Sequence, residues 1–260
     1  METLVKFCKP EYNILNGCHT IRFGTLEYYR DLDPSFAIAD ENEGKETTGV
    51  GSFLTDTASR EAVDAVQAVF PFPLGEGVSL QNCELRMTFP NCFIWCCSRA
   101  VKPISIEQGT QFDLEYTSFY EINDVGRFCR RLGELLINSL SSSEFANKAK
   151  NFLQGLPASE QRVNLNIVHH DVIYVEEKRS VIDEGQIHSY TENNLLPINP
   201  LFRPLFVKPK KYEKDHEYRF VCVFSHERYG ILEARKDPVD RRIDPVSRTL
   251  IDQTLASNYV

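Results

Sequence analysis

Glu217 stands where a charged stretch of the sequence changes into an apolar one. The segment YEKDHEYRFVCVF begins with charged residues and continues as an alternating strand. A carboxylate whose backbone is fixed at such a junction can stabilise a developing positive charge or accept a proton. A salt bridge to Arg219 or Lys214 is the structural alternative, and the residue types alone favour that alternative.

A second polar segment, RFGTLEYYRD, carries residue types that suit a nucleotide. The planar guanidinium groups of Arg22 and Arg30 can each bind two oxygens of a diphosphate. Gly24 lets a ligand approach the backbone, and the ring of Tyr28 or Tyr29 can stack on a flat heterocycle. Composition alone favours a different interpretation, an ordinary strand with half-buried tyrosines and solvated arginines.

The short motifs GxxxxGK[ST], GxGxxG, HExxH and GxSxG do not occur in the sequence. His169 and His170 are adjacent, so on a strand they would point in opposite directions and would not form a ligand pair. The cysteines of NCFIWCCS at 91–98 lack a CxxC pair, which favours small buried core residues over zinc ligands. We therefore expect no metal. Nucleophilic catalysis by a cysteine and a histidine stays open, because nothing selects a particular cysteine.

The bulk properties are those of an ordinary globular protein. The chain has 260 residues and a formal net charge of −8, which argues against a general nucleic-acid coat protein because such binding neutralises phosphates. The N-terminus lacks the features of a signal peptide, and no apolar run reaches the roughly 18 residues that span a bilayer. We expect a cytoplasmic protein without membrane contact and with free thiols. Two local basic clusters remain, at Lys208, Lys210, Lys211 and Lys214, and at Arg127, Arg130 and Arg131.

The hydrophobic pattern predicts a strand-rich α+β protein of one domain over 1–260. Strands are expected at 3–7, from Thr20 to a turn or helix start near Thr25, near 51–54 and 85–89, at 91–98, at 171–177 and at 217–224. Helices are expected after Pro10, at 124–140 and at 142–153. The polar segment 31–49 should be a loop, and the proline-rich run 195–209 an extended connection.

Several of these segments together carry a resemblance. They are TLVKF with the short helix after it, TIRFGTLEYYRD, the buried strand FIWCCS, the strand DVIYV, and KPKKYEKDHEYRFV. Their order resembles a bacterial family of ADP-ribosyltransferase-like toxins from phage-defence toxin–antitoxin and toxin–antitoxin–chaperone systems, through a related family of unknown function. The resemblance covers most of the chain, and the first and last motifs are the specific ones.

The resemblance implies an ADP-ribosyltransferase-like split, twisted β-sheet core with flanking helices. It implies NAD as co-substrate and a nucleic-acid acceptor, with RNA, specifically mRNA, favoured over DNA. An antitoxin protein and a chaperone are the implied partners. The implied activity is a glycosyltransferase-class transfer of ADP-ribose from NAD.

Carried over by motif, Glu217 is the late-strand glutamate, and Tyr28 and Arg30 complete the implied catalytic set. The residues implied to bind NAD are Lys6, Phe7, Arg22, Gly24, Thr25 and Tyr29. Lys6 and Phe7 stand where these enzymes often carry a histidine or an arginine on the first strand. We expect Glu217 and the 22–30 segment to line one cleft.

Alternatives of other classes stay open. One is an NAD hydrolase or a metal-independent nuclease on a similar scaffold. Another is a non-enzymatic sensor of a nucleotide or phage component, in which Glu217 is structural. The acidic loop DENEG at 40–44 could close over a nucleotide or hold a partner.

Overall fold

The computed structural model describes residues 2–32, 39–70, 72–176, 179–188 and 200–256. Contacts divide the chain into a first unit, Met1–Glu41 with Pro90–Asp171 and Asp215–Val260, and a second unit, Asn42–Phe89 with Val172–Lys214. The single domain expected over 1–260 stays a prediction. Within the described ranges, no helix combines the length and the apolar character needed to cross a membrane.

The chain is a mixed α and β protein with several sheets. In the described residues the strands are β1 (Glu2–Cys8), β2 (Thr20–Thr25), β3 (Lys45–Leu54), β4 (Ser79–Thr88), β5 (Phe93–Val101), β6 (Ser118–Ile122), β7 (Asn164–Asp171), β8 (Ile173–Val175), β9 (Arg179–Asp183), β10 (Gln186–His188), β11 (Val207–Pro209), β12 (Glu217–His226), β13 (Gly230–Leu232), β14 (Val239–Arg242) and β15 (Leu255–Ala256). The α-helices there are α1 (Leu26–Arg30), α2 (Arg60–Gln67), α3 (Ile106–Thr110), α4 (Val125–Asn138), α5 (Asn147–Gln154) and α6 (Pro245–Asp252). Short 3-10 turns lie at Pro10–Tyr12, Ile14–Asn16, Ser142–Glu144, Ala158–Glu160, Pro200–Leu205 and Lys210–Asp215.

A large sheet forms the first unit. Its path through the described strands is β13-β12-β5-β1-β6-β15, with β7 paired to β12, β2 paired to β5, and β14 paired to β2. β5 and β12 are central strands, with neighbours on both edges. Both faces of a central strand are buried here, which explains the nearly continuous apolar run in each. One face carries the core, where Trp95 packs against Phe128 of α4 and Phe220 of β12.

The second unit has its own small sheet and core. In the described residues its strand order is β10-β9-β3-β4, and β8 and β11 form a separate parallel pair. The helix α2 contributes Ala62 and Val66 to a cluster with Val50 and Phe53 of β3. A buried carboxylate, Glu46, is held by the guanidinium of Arg203 and the hydroxyl of Ser180.

Most expected elements of the first unit are confirmed, including β1, β2 with the helix start at Thr25, β5, α4 and β12. The single helix expected at 142–153 is wrong: Ser141 caps a 3-10 turn, and α5 starts only at Asn147. The break falls at Phe145, whose backbone is extended and whose ring enters the core beside Phe224.

The second unit departs further from expectation. The helix α2 was not expected at all, and the loop expected to run to residue 49 ends where β3 begins at Lys45. The strand expected at 171–177 is divided between the end of β7 and β8. The proline-rich connection expected at 195–209 contains a 3-10 turn, Pro200–Leu205, and the strand β11, while its residues 195–199 lie outside the described part of the chain.

Candidate functional site

Strand pairing along one edge of β5 has a gap, which we call the opening in the large sheet. On its other edge, β12 pairs with residues 93–98 without interruption. On the edge with the opening, β2 pairs with residues 93 and 94, and β1 pairs with residues 98–101. Residues 95–97 therefore lie between the ends of β1 and β2, where the two strands separate.

The strand register assigns the candidate residues to the two faces of this sheet. Side chains directly opposite one another in an antiparallel pair lie on the same face, and neighbours along a strand alternate. Glu217 is opposite Ser98, and Gly24 is opposite Ile94. Because residues 94, 96 and 98 share a face, Gly24, Cys96 and Glu217 lie on one face of the sheet, which we call the Glu217 face.

Glu217 is buried and forms an ion pair on this face. Nε of Arg219 donates to Oε1 of Glu217 at 2.6 Å, and Nη2 of Arg219 lies 3.3 Å from Oε2. The exposed fractions of the two side chains are 9% for Glu217 and 2% for Arg219. The salt bridge to Arg219, which the structural alternative for Glu217 requires, is thus present, and it is buried rather than exposed.

The thiol of Cys96 also lies beside the Glu217 carboxylate. Burial raises the pKa of Cys96, and the negative charge of Glu217 beside it raises that pKa further. The thiol therefore stays protonated and donates a hydrogen bond to the carboxylate. A charged donor, Arg219, and a neutral donor, Cys96, thus both hold the Glu217 carboxylate.

Tyr29 reaches the Glu217 face over Gly24. A Cβ added at Gly24 would lie 2.5 Å from the hydroxyl oxygen of Tyr29 and 2.7 Å from its Cζ, so only glycine leaves room for this ring. The ring of Tyr28 packs edge-on against that of Tyr29, with centroids 5.5 Å apart. Both tyrosines are partly exposed.

The first turn of α1 is tied to the sheet by buried polar groups. The hydroxyl of Thr25 accepts a hydrogen bond from the backbone N–H of Tyr28 and donates one to the carbonyl of Lys236. The amide of Asn91 accepts from the backbone N–H of Glu27 at 3.0 Å. The same amide donates to two carbonyls of the 234–235 segment. Asn91 and Thr25 thereby position the two tyrosines.

The two candidate arginines differ in what the structure shows of them. Arg22 lies on the exposed surface and forms a bidentate pair with Asp240, at 2.9 and 3.1 Å. This guanidinium holds the pKa of the Asp240 carboxyl below its usual range. Arg30 is partly exposed in the last turn of α1.

Lys6, Phe7 and Thr25 are separated by the two faces of the sheet. The ammonium of Lys6 donates to the carbonyl of Cys96 at 2.6 Å and lies 5.0 Å from the centroid of Trp95, on the face opposite Glu217. Thr25 is on that opposite face too, since it pairs with Phe93. Phe7 lies on the Glu217 face, where it packs in a small apolar cluster with Val5 and Ala100. Contact of any of the three with NAD stays a prediction.

The remaining charged candidates are mostly held by partners. The backbone N–H of Asp40 donates to the carbonyl of Tyr29, and the Glu43 carboxylate lies 3.7 Å from the buried Lys208 ammonium. Arg127 pairs with Asp124, the N-cap residue of α4, and Arg131 pairs with Glu134 of the same helix. Among the described residues, no group of three or more His, Cys, Asp and Glu side chains is arranged to hold a metal ion.

The sequence-based site omitted three residues that the structure places around it. Cys96 and Asn91 were not chosen, and His170 was considered only as a metal ligand. His170 lies opposite Arg219, on the Glu217 face, and His169 lies on the other face, as the alternation predicted. The signal for Cys96 and His170 is the register between strands, which sequence spacing alone does not contain.

Comparison with known proteins finds no counterpart for this geometry: no protein-family model, no curated protein and no solved structure matches the chain. The family resemblance, and the activity and partners that it implies, stay predictions.

Proposed function

We propose that the protein is an NAD-dependent ADP-ribosyltransferase toxin that modifies nucleic acid, with mRNA as the favoured acceptor, in an anti-phage toxin–antitoxin system. The observation that carries this proposal is the opening between β1 and β2 on one edge of β5, with Glu217 at the start of the strand on the other edge. A split sheet with a late-strand glutamate beside it is what the resemblance to ADP-ribosyltransferases implies.

In the proposed reaction, Glu217 acts on the ribose next to nicotinamide. Cleavage of the nicotinamide–ribose bond develops positive charge on the sugar, and a fixed carboxylate stabilises that charge without reorganisation. Arg219 and Cys96 would hold the carboxylate in place. The protein's contribution is therefore orientation and electrostatics.

The residues near Gly24 would bind the remainder of NAD. The rings of Tyr28 and Tyr29 offer aromatic surface for the nicotinamide. Arg22 and Arg30 would hold the diphosphate. Arg22 would have to exchange Asp240 for phosphate, and this is feasible because an exposed ion pair contributes only about 0–1 kcal/mol.

The nucleic-acid acceptor and the protein partners are proposed from the resemblance. The distribution of charge on the protein also bears on the acceptor. A chain of net charge −8 needs local positive surface to hold RNA. Arg127 and Arg130 on α4 are exposed and could provide it. The antitoxin, the chaperone and the cytoplasmic location rest on the resemblance and on the sequence alone.

A sensor without catalysis is the second candidate, and the buried Glu217–Arg219 pair favours it. In that case the carboxylate is a structural counter-ion, and NAD or another nucleotide would bind at the opening without reaction. The same pair is equally suited to an electrostatic role in catalysis, so the two functions are distinguished by their products.

Incubation with NAD radiolabelled in its adenylate phosphate separates the candidates. RNA, DNA and a sample without nucleic acid serve as parallel acceptors. Label that becomes attached to RNA supports the proposal, and label attached only to DNA changes the acceptor. Free ADP-ribose without transfer indicates an NAD hydrolase. Saturable NAD binding with no product indicates the sensor.

A further inference from the structure

β7 is an edge strand of the large sheet. It pairs antiparallel with β12 over its eight residues. Among the described residues, β12 is the only strand that pairs with β7, and the backbone of 164–169 has no backbone hydrogen bond to any other segment. Asn164 and Asn166 are exposed, and the other residues of 164–169 are partly exposed. The outer side of β7 over 164–169, which we call the β7 edge, therefore carries backbone donors and acceptors that lack a strand partner.

The second long edge strand, β4, shows how this protein protects such an edge. Among the described strands, β4 pairs with β3 alone. Asn82, in its middle, has a left-handed φ of 47° and interrupts the pairing with β3. Glu84 and Arg86 add exposed charges to the same strand. Irregular backbone and charged side chains are two devices that prevent an edge strand from pairing with another chain.

The β7 edge has neither device. The register of β7 with β12 runs without a break, so the strand has no bulge. Residues 164–169 contain no proline and no Asp, Glu, Lys or Arg. Burial lowers the pKa of His169, which keeps its ring neutral at pH 7. Apart from β4, every other edge strand of the described sheets has four residues or fewer. The β7 edge is therefore the one long, regular and uncharged edge among the described strands.

We propose that the β7 edge is the interface at which two copies of this chain pair, strand against strand. Antiparallel pairing about a two-fold axis sets the same patch of each copy against itself. With the axis at Ile167, that residue meets its own counterpart, Val168 lies opposite Asn166, and Leu165 lies opposite His169. No like charges meet, and apolar, β-branched side chains lie in the centre, where such cross-strand pairs stabilise a sheet.

The neutrality of the β7 edge favours a second copy over a different partner. Chains of net charge −8 repel one another, so self-association needs a contact without like charges, and the β7 edge provides one. A charged strand of another protein would find no opposite charge along 164–169. Two-fold pairing also uses both edges at once, so the assembly closes as a dimer. The two Glu217 faces then lie on the same side of one continuous sheet. This interface does not depend on the reaction proposed above.

Analytical ultracentrifugation of the wild-type protein should show a dimer that dissociates on dilution. The double variant Asn166→Lys with Val168→Lys sets lysines opposite one another across the axis, and we expect its dimer dissociation constant to rise about 10-fold or more. The double variant Asn166→Glu with Val168→Glu should weaken the dimer in the same way. An equimolar mixture of the two variants should form a mixed dimer, because opposite charges then meet across the axis.

A variant with the same added charge on the other long edge strand is the matched control. Ser79→Lys with Gln81→Lys places two lysines at exposed positions of β4 and should dimerise as the wild type does. Asn166→Lys alone, at an exposed position, serves where circular dichroism shows a double variant to be unfolded. A wild-type monomer at concentrations on the order of 100 μM, wild-type dimerisation by the folded β7 variants, no mixed dimer from the mixture, or an equal loss in the β4 variant overturns the interface.

Discussion

Replacing Glu217 by glutamine separates a structural carboxylate from a catalytic one, because the two roles predict different losses. The pair with Arg219 is buried, and removing one partner of a buried pair costs about 3–5 kcal/mol. Glutamine keeps an acceptor oxygen for the guanidinium, so we expect a loss of about 3 kcal/mol. For a chain of this size that lowers the melting temperature by about 6–12 °C.

The catalytic role adds a second loss that stability does not explain. Glutamine cannot stabilise the positive charge of the transition state, and losing one such electrostatic contact lowers kcat by about 10²–10³-fold. Binding of NAD in the ground state should change much less, so the loss should appear in kcat rather than in KM.

A second buried carboxylate–guanidinium pair in the same unit provides the control. Glu144 and Arg241 are also largely buried, with exposed side-chain fractions of 11% and 6%. Glu144→Gln should therefore lower the melting temperature by a similar amount and leave kcat per folded molecule unchanged.

The assay measures transfer and nicotinamide release at a temperature at which circular dichroism shows both variants to be folded. A folded Glu217→Gln protein with wild-type kcat would refute the catalytic assignment. Loss of kcat in Glu144→Gln equal to that in Glu217→Gln would show that any weakened core inactivates the protein.

Four further substitutions test the supports of the site. Gly24→Ala should displace the Tyr29 ring, because the new Cβ would lie 2.5 Å from its hydroxyl; calorimetric titration should show weaker NAD binding, and unchanged affinity would contradict the role of Tyr29. Asn91→Ala leaves buried backbone groups at the start of α1 without their partner and should cost about 1–3 kcal/mol; hydrogen exchange of α1 at the wild-type rate would contradict this. Cys97→Ala should lower the free energy of unfolding by about 1 kcal/mol and leave transfer unchanged. Cys96→Ala should lower kcat, because it removes a donor to the proposed catalytic carboxylate. Equal kcat values in the two variants would contradict this difference between the two cysteines.

The elements that the sequence predicted well are those whose pattern is local. The apolar residues of α4 recur on one helical face, and Asp124 provides its cap. The strands β5 and β12 are long apolar runs, which a buried central strand requires. Both patterns can be recognised in the sequence without knowing which other residues bury these side chains.

The elements that were missed depend on distant parts of the chain. α2 buries only Ala62 and Val66, so its apolar face is too small to be conspicuous in the sequence. β7 has an irregular pattern of polar and apolar residues, and it is a strand because β12 offers it a complete edge of hydrogen-bonding groups. That edge exists only after the sheet has formed.

The site was predictable only in part, for the same reason. That Glu217 and Arg219 share a face follows from their spacing on one strand. That Lys6 and Phe7 point to opposite faces of the sheet follows from the same rule. That Cys96 and His170 lie on the Glu217 face depends on pairings between strands separated by many residues, which a single sequence does not reveal.

The two buried ion pairs also differ in what each connects. The Glu144–Arg241 pair joins segments 97 residues apart, so it constrains the tertiary structure. The Glu217–Arg219 pair joins residues two apart on one strand. Burying two charges is costly, and replacing such pairs by apolar residues is often neutral or stabilising. Glu144→Gln therefore weakens a link between distant segments, whereas Glu217→Gln removes a charge beside the opening in the sheet.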